Sequence, residues 1–591
     1  MNSLPDNRNG AWDRVLADTL AACGVRRVLL CPGGRAAMLA MTLHRSRAIE
    51  CILHVDERSA GFLALGMMLA DGAPAAVCTT SGTAVANLLP AMAEAQARGL
   101  PLVLLTCDRP QAGRLPGEPQ WLPQVPLCAP LARSQLALPD PLDGTMTLAE
   151  LQARLASALA LGIEGERPGP VHINIPQWGA YCSTEDDPPG DAPPPGPLRL
   201  RRRQPRLADI AAVQEAVRRA GVGKGARGLV LACADQPLPV AAVAELLDAT
   251  GYPLIADVGS GLRHFGLPGT LTVADGLAEA DALALDRADI LIRLGGAPVC
   301  PGLLRAIKRL RGPVLRIARH DPGGDFLSPG AIGLPPPSPH ALTALGAALG
   351  KGDRQWAQDW RAAETLAAAA RDIVVAAATW GEMAAAGRIC AAPGFAALHC
   401  ANSLSVRHAG LLMPAGHGAA RVFTARGVNG IDGTLGLVLG EALAGGGRML
   451  ALLGDQAFVH DLPALSNPLW RRLRGALCVV NNAGGGIFDL TAARRIDGYA
   501  TTMRNAPTVE LAGIARAFGL VHRPCADVAA LDTALAEAAA ADALFLIEVR
   551  TPPGTAVRDL PRLVGAMAAS VRYTEACATP LLALSASPAA S

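Results

Sequence analysis

The stretch 452–488, LLGDQAFVHDLPALSNPLWRRLRGALCVVNNAGGGIF, contains two short apolar segments that each run directly into polar residues. The first segment ends at Gly454 and Asp455, and the second ends at Asn482, which the glycines 484–486 follow closely. Apolar runs without strict polar alternation are typical of strands buried on both faces, as in a parallel sheet with crossover helices. The stretch therefore predicts two parallel strands that end in a carboxylate and an amide.

The same alternation of apolar runs and helical patterns fills three blocks of the chain. The first block holds VRRVLLCPG, CILHVDE, AAVCTTSGT, LVLLTCD and VHINIP; the second holds GLVLACAD, YPLIADVG, DILIRLGG and PVLRIA. The third holds FAALHCANS, RVFTARG, RMLALLGD, ALCVVNNAGGG and LFLIEV. A chain of 591 residues is too long for a single core. We predict an α/β fold of three doubly wound parallel-sheet domains.

Two proline-rich segments separate these blocks. Segment 185–205, EDDPPGDAPPPGPLRLRRRQP, has the composition of a linker, and LPPPSPH at 334–340 precedes a helical stretch that continues to about Trp380. The C-terminal end, LLALSASPAAS, has the composition of a frayed tail. The predicted domains are residues 1–185, 205–335 and 380–575.

Composition argues against several classes of function. The formal net charge of +2 gives no bulk attraction to nucleic acid or to anionic membranes. No apolar signal-peptide core is found at the N-terminus, and the uncharged segment 72–93 contains TTSGT and Pro90, which predict a strand and a helix rather than a membrane span. The cysteines form no C-x-x-C pair, so we expect buried reduced thiols in a cytoplasmic protein without a transmembrane segment.

Asp455 and Asn482 carry the oxygen ligands that Mg²⁺, or Mn²⁺ in its place, prefers. With the backbone carbonyl of Gly484 they supply three ligands, and phosphate oxygens and water complete the octahedron. The glycine turn permits close backbone approach and is expected to open a helix whose N-terminus favours phosphate. No Lys-Ser/Thr follows the glycines, which argues against a P-loop. The alternative interpretation is that Asp455 caps a helix and Asn482 closes a turn.

This spacing of Gly-Asp and Asn-Asn resembles the signature of the thiamine-diphosphate-dependent decarboxylases and synthases. The resemblance implies a glutamate that hydrogen-bonds the cofactor's aminopyrimidine, and Glu57 in HVDERSAGFLALG (54–66) matches it. Its carboxyl would drive deprotonation of the thiazolium. The alternative is an ordinary first-turn glutamate that complements a helix dipole. The resemblance also implies a homodimer or homotetramer, because the superfamily places this glutamate and the metal site on opposite sides of a subunit interface.

Further motifs resemble the 2-succinyl-5-enolpyruvyl-6-hydroxy-3-cyclohexene-1-carboxylate synthase family of menaquinone biosynthesis. They are CPGGRAA (31–37), TTSGTAVANLLPA (79–91), TCDRP (106–110), ANSLSVR (401–407), ARGVNGIDGTL (425–435), GDQAFVHDLPAL (454–465) and VVNNAGGGIF (479–488). The resemblance implies a transferase that decarboxylates 2-oxoglutarate and adds the succinyl carbanion to isochorismate in a 1,4 sense. It implies cofactor contacts from Glu57, Gln120, Ile431, Asp455, Gln456, Asn482, Gly484, Gly485 and Phe488.

Both implied substrates are dicarboxylates, and a nearly neutral chain must recognise them with local cations. Guanidinium groups bind carboxylates bidentately and stay charged when partly buried. Four arginines lie beside predicted strand ends in the matched motifs: Arg35, Arg109, Arg407 and Arg426. Together with Glu57 and Ser403 they are the predicted catalytic and substrate-binding residues, and Ser403 and Gln120 would add hydrogen bonds.

The chain departs from the family pattern at three places. Gly34 stands where the family has a hydroxyl residue, Ala483 interrupts the turn before Gly484, and Pro301-Gly302 replaces a basic pair. The candidates to replace that pair are Arg305, Lys308 and Arg309. Two alternatives therefore stay open: a thiamine-dependent carboligase for another 2-oxo acid or acceptor, and a non-catalytic relative. The intact Glu57, Asp455 and Asn482 argue against the latter.

Overall fold

The computed structural model describes residues 8–110, 117–178, 206–319, 324–416 and 421–577. The predicted linker at 185–205 and the C-terminal tail lie outside these residues. Contacts divide the chain into two compact units. The first unit comprises Met1–Pro205, Ala425–Gly446 and His460–Leu473, and the second comprises Arg206–Thr424, Gly447–Val459 and Arg474–Ser591.

The N-terminal region forms a six-stranded parallel sheet with the order β2-β1-β3-β4-β6-β5. Its strands are β1 (Arg27–Leu30), β2 (Glu50–Leu53), β3 (Ala75–Thr79), β4 (Leu102–Asp108), β5 (Ser134–Ala137) and β6 (Val171–Pro176). Its helices are α1 (Arg8–Ala22), α2 (Ala37–Arg45), α3 (Glu57–Asp71), α4 (Thr83–Asn87), α5 (Leu89–Arg98), α6 (Gln124–Cys128) and α7 (Leu148–Ile163). Every residue of β3, β4 and β6 is buried, as expected for strands covered on both faces.

The middle region forms a second six-stranded parallel sheet, ordered β12-β11-β10-β7-β8-β9. Its strands are β7 (Gly228–Ala232), β8 (Leu254–Ala256), β9 (Thr270–Leu271), β10 (Ile290–Leu294), β11 (Val314–Ile317) and β12 (Ile332–Leu334). Its helices are α8 (Ile210–Ala220), α9 (Val240–Thr250), α10 (Ala274–Glu279), α11 (Pro301–Arg309) and α12 (Pro339–Leu349).

The C-terminal region forms a third parallel sheet, ordered β14-β13-β15-β16-β18-β17. Its strands are β13 (Ala397–Cys400), β14 (Arg421–Thr424), β15 (Met449–Gly454), β16 (Gly475–Asn481), β17 (Val521–Cys525) and β18 (Leu544–Arg550). Its helices are α13 (Arg354–Ala376), α14 (Glu382–Ala391), α15 (Leu404–Leu412), α16 (Thr434–Gly445), α17 (Asp455–His460), α18 (Leu511–Phe518), α19 (Val528–Ala540) and α20 (Thr555–Cys577). The predicted fold of three doubly wound parallel sheets is confirmed.

Helix α16 packs against α3 within the first unit. Glycines permit the approach, because a Cβ on Gly66 would lie 2.2 Å from the carbonyl oxygen of Leu437, and one on Gly440 would lie 2.1 Å from that of Leu63. Helix α16 falls in sequence inside the predicted domain 380–575. The three predicted domain boundaries stay predictions.

Segment 72–93 folds as predicted, into β3, α4 and the start of α5. Among the described helices, none combines the length and apolarity needed to cross a membrane. The cysteines that the structure describes are free thiols, and all of those with a described side chain except Cys23 and Cys51 are buried.

Candidate active site

Glu57 is the first residue of α3, four residues beyond the end of β2. Asp56 caps this helix by accepting a hydrogen bond from the Ser59 backbone N–H at 2.7 Å, so Glu57 does not serve as the cap. The half-buried Glu57 carboxylate accepts a hydrogen bond from the Asn87 side-chain amide at 3.4 Å. This leaves Glu57 at the carboxyl edge of the first sheet, where the predicted site lies.

Arg109 and Gln120 meet at the same edge of the first sheet. The Gln120 carbonyl oxygen accepts hydrogen bonds from the Ser81 hydroxyl at 3.0 Å and from Arg109 Nη1 at 3.3 Å. Arg109 Nε also lies 2.6 Å from Glu118 Oε1, in an ion pair. Gln120 has a φ of +59°, and Gly82 lies against it, because a Cβ on Gly82 would be 3.1 Å from the Gln120 side chain.

Arg35 lies near Arg109. Burial, and then the positive charge of Arg109, lower the pKa of the Arg35 guanidinium. Arg35 Nη1 donates to the Gln177 carbonyl at 2.9 Å, and the Gln177 N–H donates to the Asp108 carbonyl at 2.9 Å. Gln177, the residue after β6, therefore connects the positions of both arginines.

Asp13 on α1 holds the side chain of Gln177, whose amide donates to Asp13 Oδ1 at 2.8 Å. Asp13 is 1% exposed, and its Oδ2 finds no hydrogen-bond partner among the described residues. Burial raises the pKa of this carboxyl to about 7, against the lowering effects of Gln177 and Arg14. The ionised form is therefore costly in the folded protein.

Replacing Asp13 by Asn is expected to stabilise the protein at pH 8 and to have little effect near pH 4. Folding raises the pKa of Asp13, so the wild-type protein loses stability as the pH rises from 3.8 to about 7. The Asn variant stays neutral and avoids this loss. We expect a gain on the order of 2 kcal/mol above pH 7, measured as a pH-dependent shift of Tm. Asp18→Asn, on the exposed side of α1, is the control. A gain that is equal at both pH values would contradict this account.

Arg426 and Ile431 lie on the segment between β14 and α16, and both are half-buried. The buried carboxylate of Glu94 holds this segment by accepting the N–H groups of Gly427 at 2.9 Å and Val428 at 2.7 Å. The Ile431 carbonyl accepts a hydrogen bond from the Thr434 hydroxyl at 2.7 Å. Sequence reasoning missed Glu94, because nothing in its helix marks it.

Asp461 joins the starts of α3 and α16. Its buried carboxylate accepts the Gly436 N–H at 2.9 Å and the Ser59 hydroxyl at 3.3 Å, and it forms an ion pair with Arg58 at 3.4 Å. Burial raises the pKa of Asp461 to about 6, although the Gly436 N–H and Arg58 oppose the shift. Asp461 was also missed as a functional residue, although it lies inside the quoted segment 454–465.

In the second unit, Asp455 and Asn482 follow the neighbouring strands β15 and β16, which pair up to Gly454 and Val480. Asp455 Oδ2 accepts the Gly484 N–H at 2.8 Å, and Oδ1 accepts the Gln456 N–H at 2.7 Å. Burial raises the pKa of Asp455, and these two N–H groups oppose the shift. Both side chains are buried, and the Asp455 carboxylate contacts the turn that follows Asn482.

The donor set at this turn suits Mg²⁺, since it offers a carboxylate, an amide oxygen and backbone carbonyls. Gly486 leaves room for the amide, because a Cβ there would lie 2.5 Å from Asn482 Nδ2. Among the described residues, no group of three or more His, Cys, Asp or Glu side chains could hold a metal. A metal at this turn would therefore rely on Asn482 and the backbone of Gly484 besides Asp455. The predicted helix after the turn is a short 3₁₀ helix, Gly486–Leu490.

Arg504 contacts the backbone of the glycine turn and the side chain of Gln456. Its guanidinium donates to the carbonyls of Asn482 and Ala483 and forms an ion pair with Asp489 at 2.5 Å. Its own carbonyl accepts the Gly485 N–H at 2.8 Å and the Gln456 amide at 2.7 Å. Phe488 is half-buried, and a Cβ on Gly485 would lie 2.8 Å from its ring. No sequence signal marked Arg504.

A buried Glu382 lies beside the Asn482 amide. Burial favours a high pKa for Glu382, but His408, Asn482 and Arg504 together outweigh it and lower the pKa. His408 Nε2 lies 3.5 Å from Glu382 Oε2, and Glu382 Oε1 finds no hydrogen-bond partner among the described residues. A carboxylate in this position favours the orientation of Asn482 with Nδ2 toward Glu382, which leaves the amide oxygen for a cation.

Ser403 and Arg407 lie at the start of α15. Ser403 has a φ of +73°, and its carbonyl accepts a hydrogen bond from Arg407 Nη1 at 2.6 Å. Burial lowers the pKa of Arg407, and the nearby Glu279 opposes the shift. Glu279 also pairs with Arg305 at 3.2 Å.

Position 302 has no space for a basic side chain. A Cβ on Gly302 would lie 2.5 Å from the carbonyl carbon of Ala278, and the Gly302 N–H donates to Glu279 at 2.9 Å. The departure from the family's basic pair is therefore part of the packing of α10 against α11. Of the candidate replacements, Arg309 pairs with Asp281 at 3.0 Å, and Lys308 lies 5.7 Å from the Phe326 ring.

Left-handed backbone occurs at several of these positions. Among the described non-glycine residues with positive φ are Gln120, Ser403, Asn429 and Ala483, and each lies in a segment singled out from the sequence. Such conformations cost on the order of 1–2 kcal/mol and persist where surrounding contacts fix them, often at functional sites.

Comparison with known proteins assigns the family. The N-terminal TPP binding domain of thiamine pyrophosphate enzymes matches residues 12–127, and the C-terminal TPP binding domain of these enzymes matches residues 403–549. A 2-succinyl-5-enolpyruvyl-6-hydroxy-3-cyclohexene-1-carboxylate synthase of Myxococcus xanthus is 31% identical over 96% of this chain and 98% of its own length. The chain belongs to this synthase family.

Other members of the synthase family match over similar lengths. The synthase of Halorhodospira halophila is 34% identical over 94% of this chain and 98% of its own length. That of Kineococcus radiotolerans is 35% identical over 96% of this chain and 100% of its own length. The predictions of a thiamine-diphosphate-dependent enzyme of the transferase type and of this synthase family are confirmed.

Proposed function

We propose that this synthase family member decarboxylates 2-oxoglutarate and adds the resulting succinyl unit to isochorismate by 1,4-addition, as a cytoplasmic enzyme of menaquinone biosynthesis. The observation that carries the substrate class is that Gln177 links the positions of Arg35 and Arg109 at one strand edge, because two guanidinium groups at such an edge suit a dicarboxylate. The names of the relatives support the product, because they are synthases of 2-succinyl-5-enolpyruvyl-6-hydroxy-3-cyclohexene-1-carboxylate.

Thiamine diphosphate with Mg²⁺, or Mn²⁺, is the proposed cofactor, and it supplies the electron sink that decarboxylation of a 2-oxo acid requires. Asp455, Asn482 and the Gly484 carbonyl would hold the metal. Additional cofactor contacts are proposed for Gln120, Ile431, Gln456, Gly485 and Phe488. Glu57 would exchange a proton with the aminopyrimidine, and its half-buried carboxylate at a helix start supports that role.

Arg407, Arg426 and Ser403 are each proposed as substrate-binding residues. Arg305 is the proposed substitute for the missing basic pair, because its ion-pair partner Glu279 also accepts the Gly302 N–H, whereas Arg309 and Lys308 contact other groups. The same departure favours the second candidate function, a carboligase with another 2-oxo acid or acceptor. We also propose a homodimer or homotetramer, and domains at 1–185, 205–335 and 380–575.

A CO₂-release assay with purified protein, Mg²⁺, thiamine diphosphate and 2-oxoglutarate, with and without isochorismate, tests this function. We expect release to rise strongly with isochorismate and the succinyl adduct to accumulate. Release that does not depend on isochorismate would support 2-oxoglutarate as the donor and reject isochorismate as the acceptor. No release from 2-oxoglutarate under either condition would overturn the donor as well.

A further inference from the structure

We propose that Glu118 is a specificity-determining residue that neutralises Arg109 until a carboxylate of the substrate displaces it. The inference rests on the proposed function, which gives Arg109 a substrate carboxylate. Glu118 was not among the residues that the sequence marked, and it contributes no proposed contact to cofactor or metal.

The Glu118 carboxylate lies against the Arg109 guanidinium as the partner of an ion pair. Glu118 Oε1 lies 2.6 Å from Arg109 Nε, and the two side chains are 26% and 11% exposed. Water screens such a pair less than an exposed surface ion pair. The Glu118 carboxylate therefore occupies a position on the guanidinium that an incoming carboxylate would need.

The other acid at this strand end is already committed to backbone and amide donors. Asp108 Oδ1 accepts the Arg109 N–H at 2.7 Å, and Oδ2 accepts the Asn174 amide at 3.0 Å. Arg35 directs its Nη1 to the Gln177 carbonyl, which is a neutral acceptor. Rotation of the Glu118 side chain would thus break its ion pair with Arg109, and a ligand carboxylate could then pair with Arg109 instead.

Exchange of one carboxylate for another has a consequence for selectivity. A neutral ligand, or one with a poorly placed carboxylate, cannot compensate the broken Glu118–Arg109 pair, so it binds weakly. A well-placed carboxylate restores the lost contact, but its net gain is smaller than it would be on an unpaired guanidinium. Glu118 therefore lowers the affinity for all anions and lowers it most for those that fit poorly.

Glu118→Gln tests the inference, because glutamine keeps the size of the side chain and removes its charge. We expect the KM for the substrate whose carboxylate Arg109 binds, 2-oxoglutarate or isochorismate, to fall about fivefold with little change in kcat, on the scale of one partly shielded ion pair. The Kd for succinate, measured calorimetrically as a probe without turnover, should fall as well. Inhibition by sulfate should become stronger.

Two control variants separate the possible outcomes. Glu215→Gln removes a charge from the surface pair of Glu215 with Arg218 and should leave KM unchanged. Arg109→Met should raise KM, and adding Glu118→Gln to it should produce no gain, because the two effects share one contact. Glu118→Asp, which shortens the side chain, serves if the Gln variant fails to fold.

The inference and the proposed function fail differently. If Arg109→Met leaves the KM for 2-oxoglutarate, the KM for isochorismate and the succinate affinity all unchanged, Arg109 binds no substrate carboxylate, and both the inference and that part of the proposed function are wrong. If Arg109→Met raises KM but Glu118→Gln does not lower it, the inference alone is overturned. A gain in succinate affinity without turnover of 2-oxoglutarate would support the role of Glu118 and reject the donor.

Discussion

Replacing Glu57 by Gln is expected to lower kcat at least about a hundredfold while the Kd for thiamine diphosphate changes little. The amide keeps the size of the side chain and can still bond to the Asn87 amide group, but it cannot exchange a proton with the aminopyrimidine. The loss should therefore appear in turnover and not in cofactor binding. The measurements are steady-state CO₂ release and calorimetric titration of the cofactor.

The competing interpretation of Glu57, a helix-start glutamate, makes a different prediction. Asp56 already caps α3, so neutralising Glu57 would then cost only a few tenths of a kcal/mol of stability and leave turnover intact. Asp71→Asn, at the other end of α3, is the matched control and should leave kcat unchanged. Full activity in Glu57→Gln would reject the proposed role.

Replacing Asp455 by Ala is expected to remove Mg²⁺-dependent binding of thiamine diphosphate, with a rise in Kd of about a hundredfold or more. The substitution deletes a proposed metal ligand and two acceptors, which hold the N–H groups of Gln456 and Gly484. Calorimetric titration of the cofactor with Mg²⁺ and with EDTA measures the effect. Thiamine diphosphate that binds the variant equally well under both conditions, and as tightly as wild type, would reject the metal site.

A second substitution separates the metal from the turn. Asp455→Asn keeps an oxygen acceptor beside the glycine turn but loses the charge, so the fold should survive while the affinity for Mg²⁺ falls. Asp527→Asn, which neutralises the cap of α19, is the control for a lost carboxylate elsewhere in the same unit. An Asn variant with wild-type Mg²⁺ dependence would place the cation elsewhere.

The fold was predictable where strands are covered on both faces. Central strands such as β4 and β16 are continuous apolar runs, because neither face meets water. The strands that sequence reasoning missed, β5, β9, β12 and β17, all lie at sheet edges, where half-exposed or very short segments need no such pattern. Strand β17 even contains Pro524, which an edge tolerates.

The sequence by itself determined which residues end the strands that it predicted. The rule that ligands gather at carboxyl ends therefore identified Glu57, Arg109 and Asp455 before any contact was known. A motif of this kind is local in the chain, so composition and order suffice to find it. The resemblance to the synthase family was predicted from the same kind of local segment.

Only the tertiary structure decided what holds those residues in place. Gln177 reaches Arg35 and Asp13, Glu94 holds the N–H of Gly427, and Arg504 closes the turn at Asn482. These partners lie far apart in sequence or on turns without a motif, and their residue types are common in any helix or loop. Their roles follow from burial and hydrogen-bond geometry, which exist only once the chain has folded.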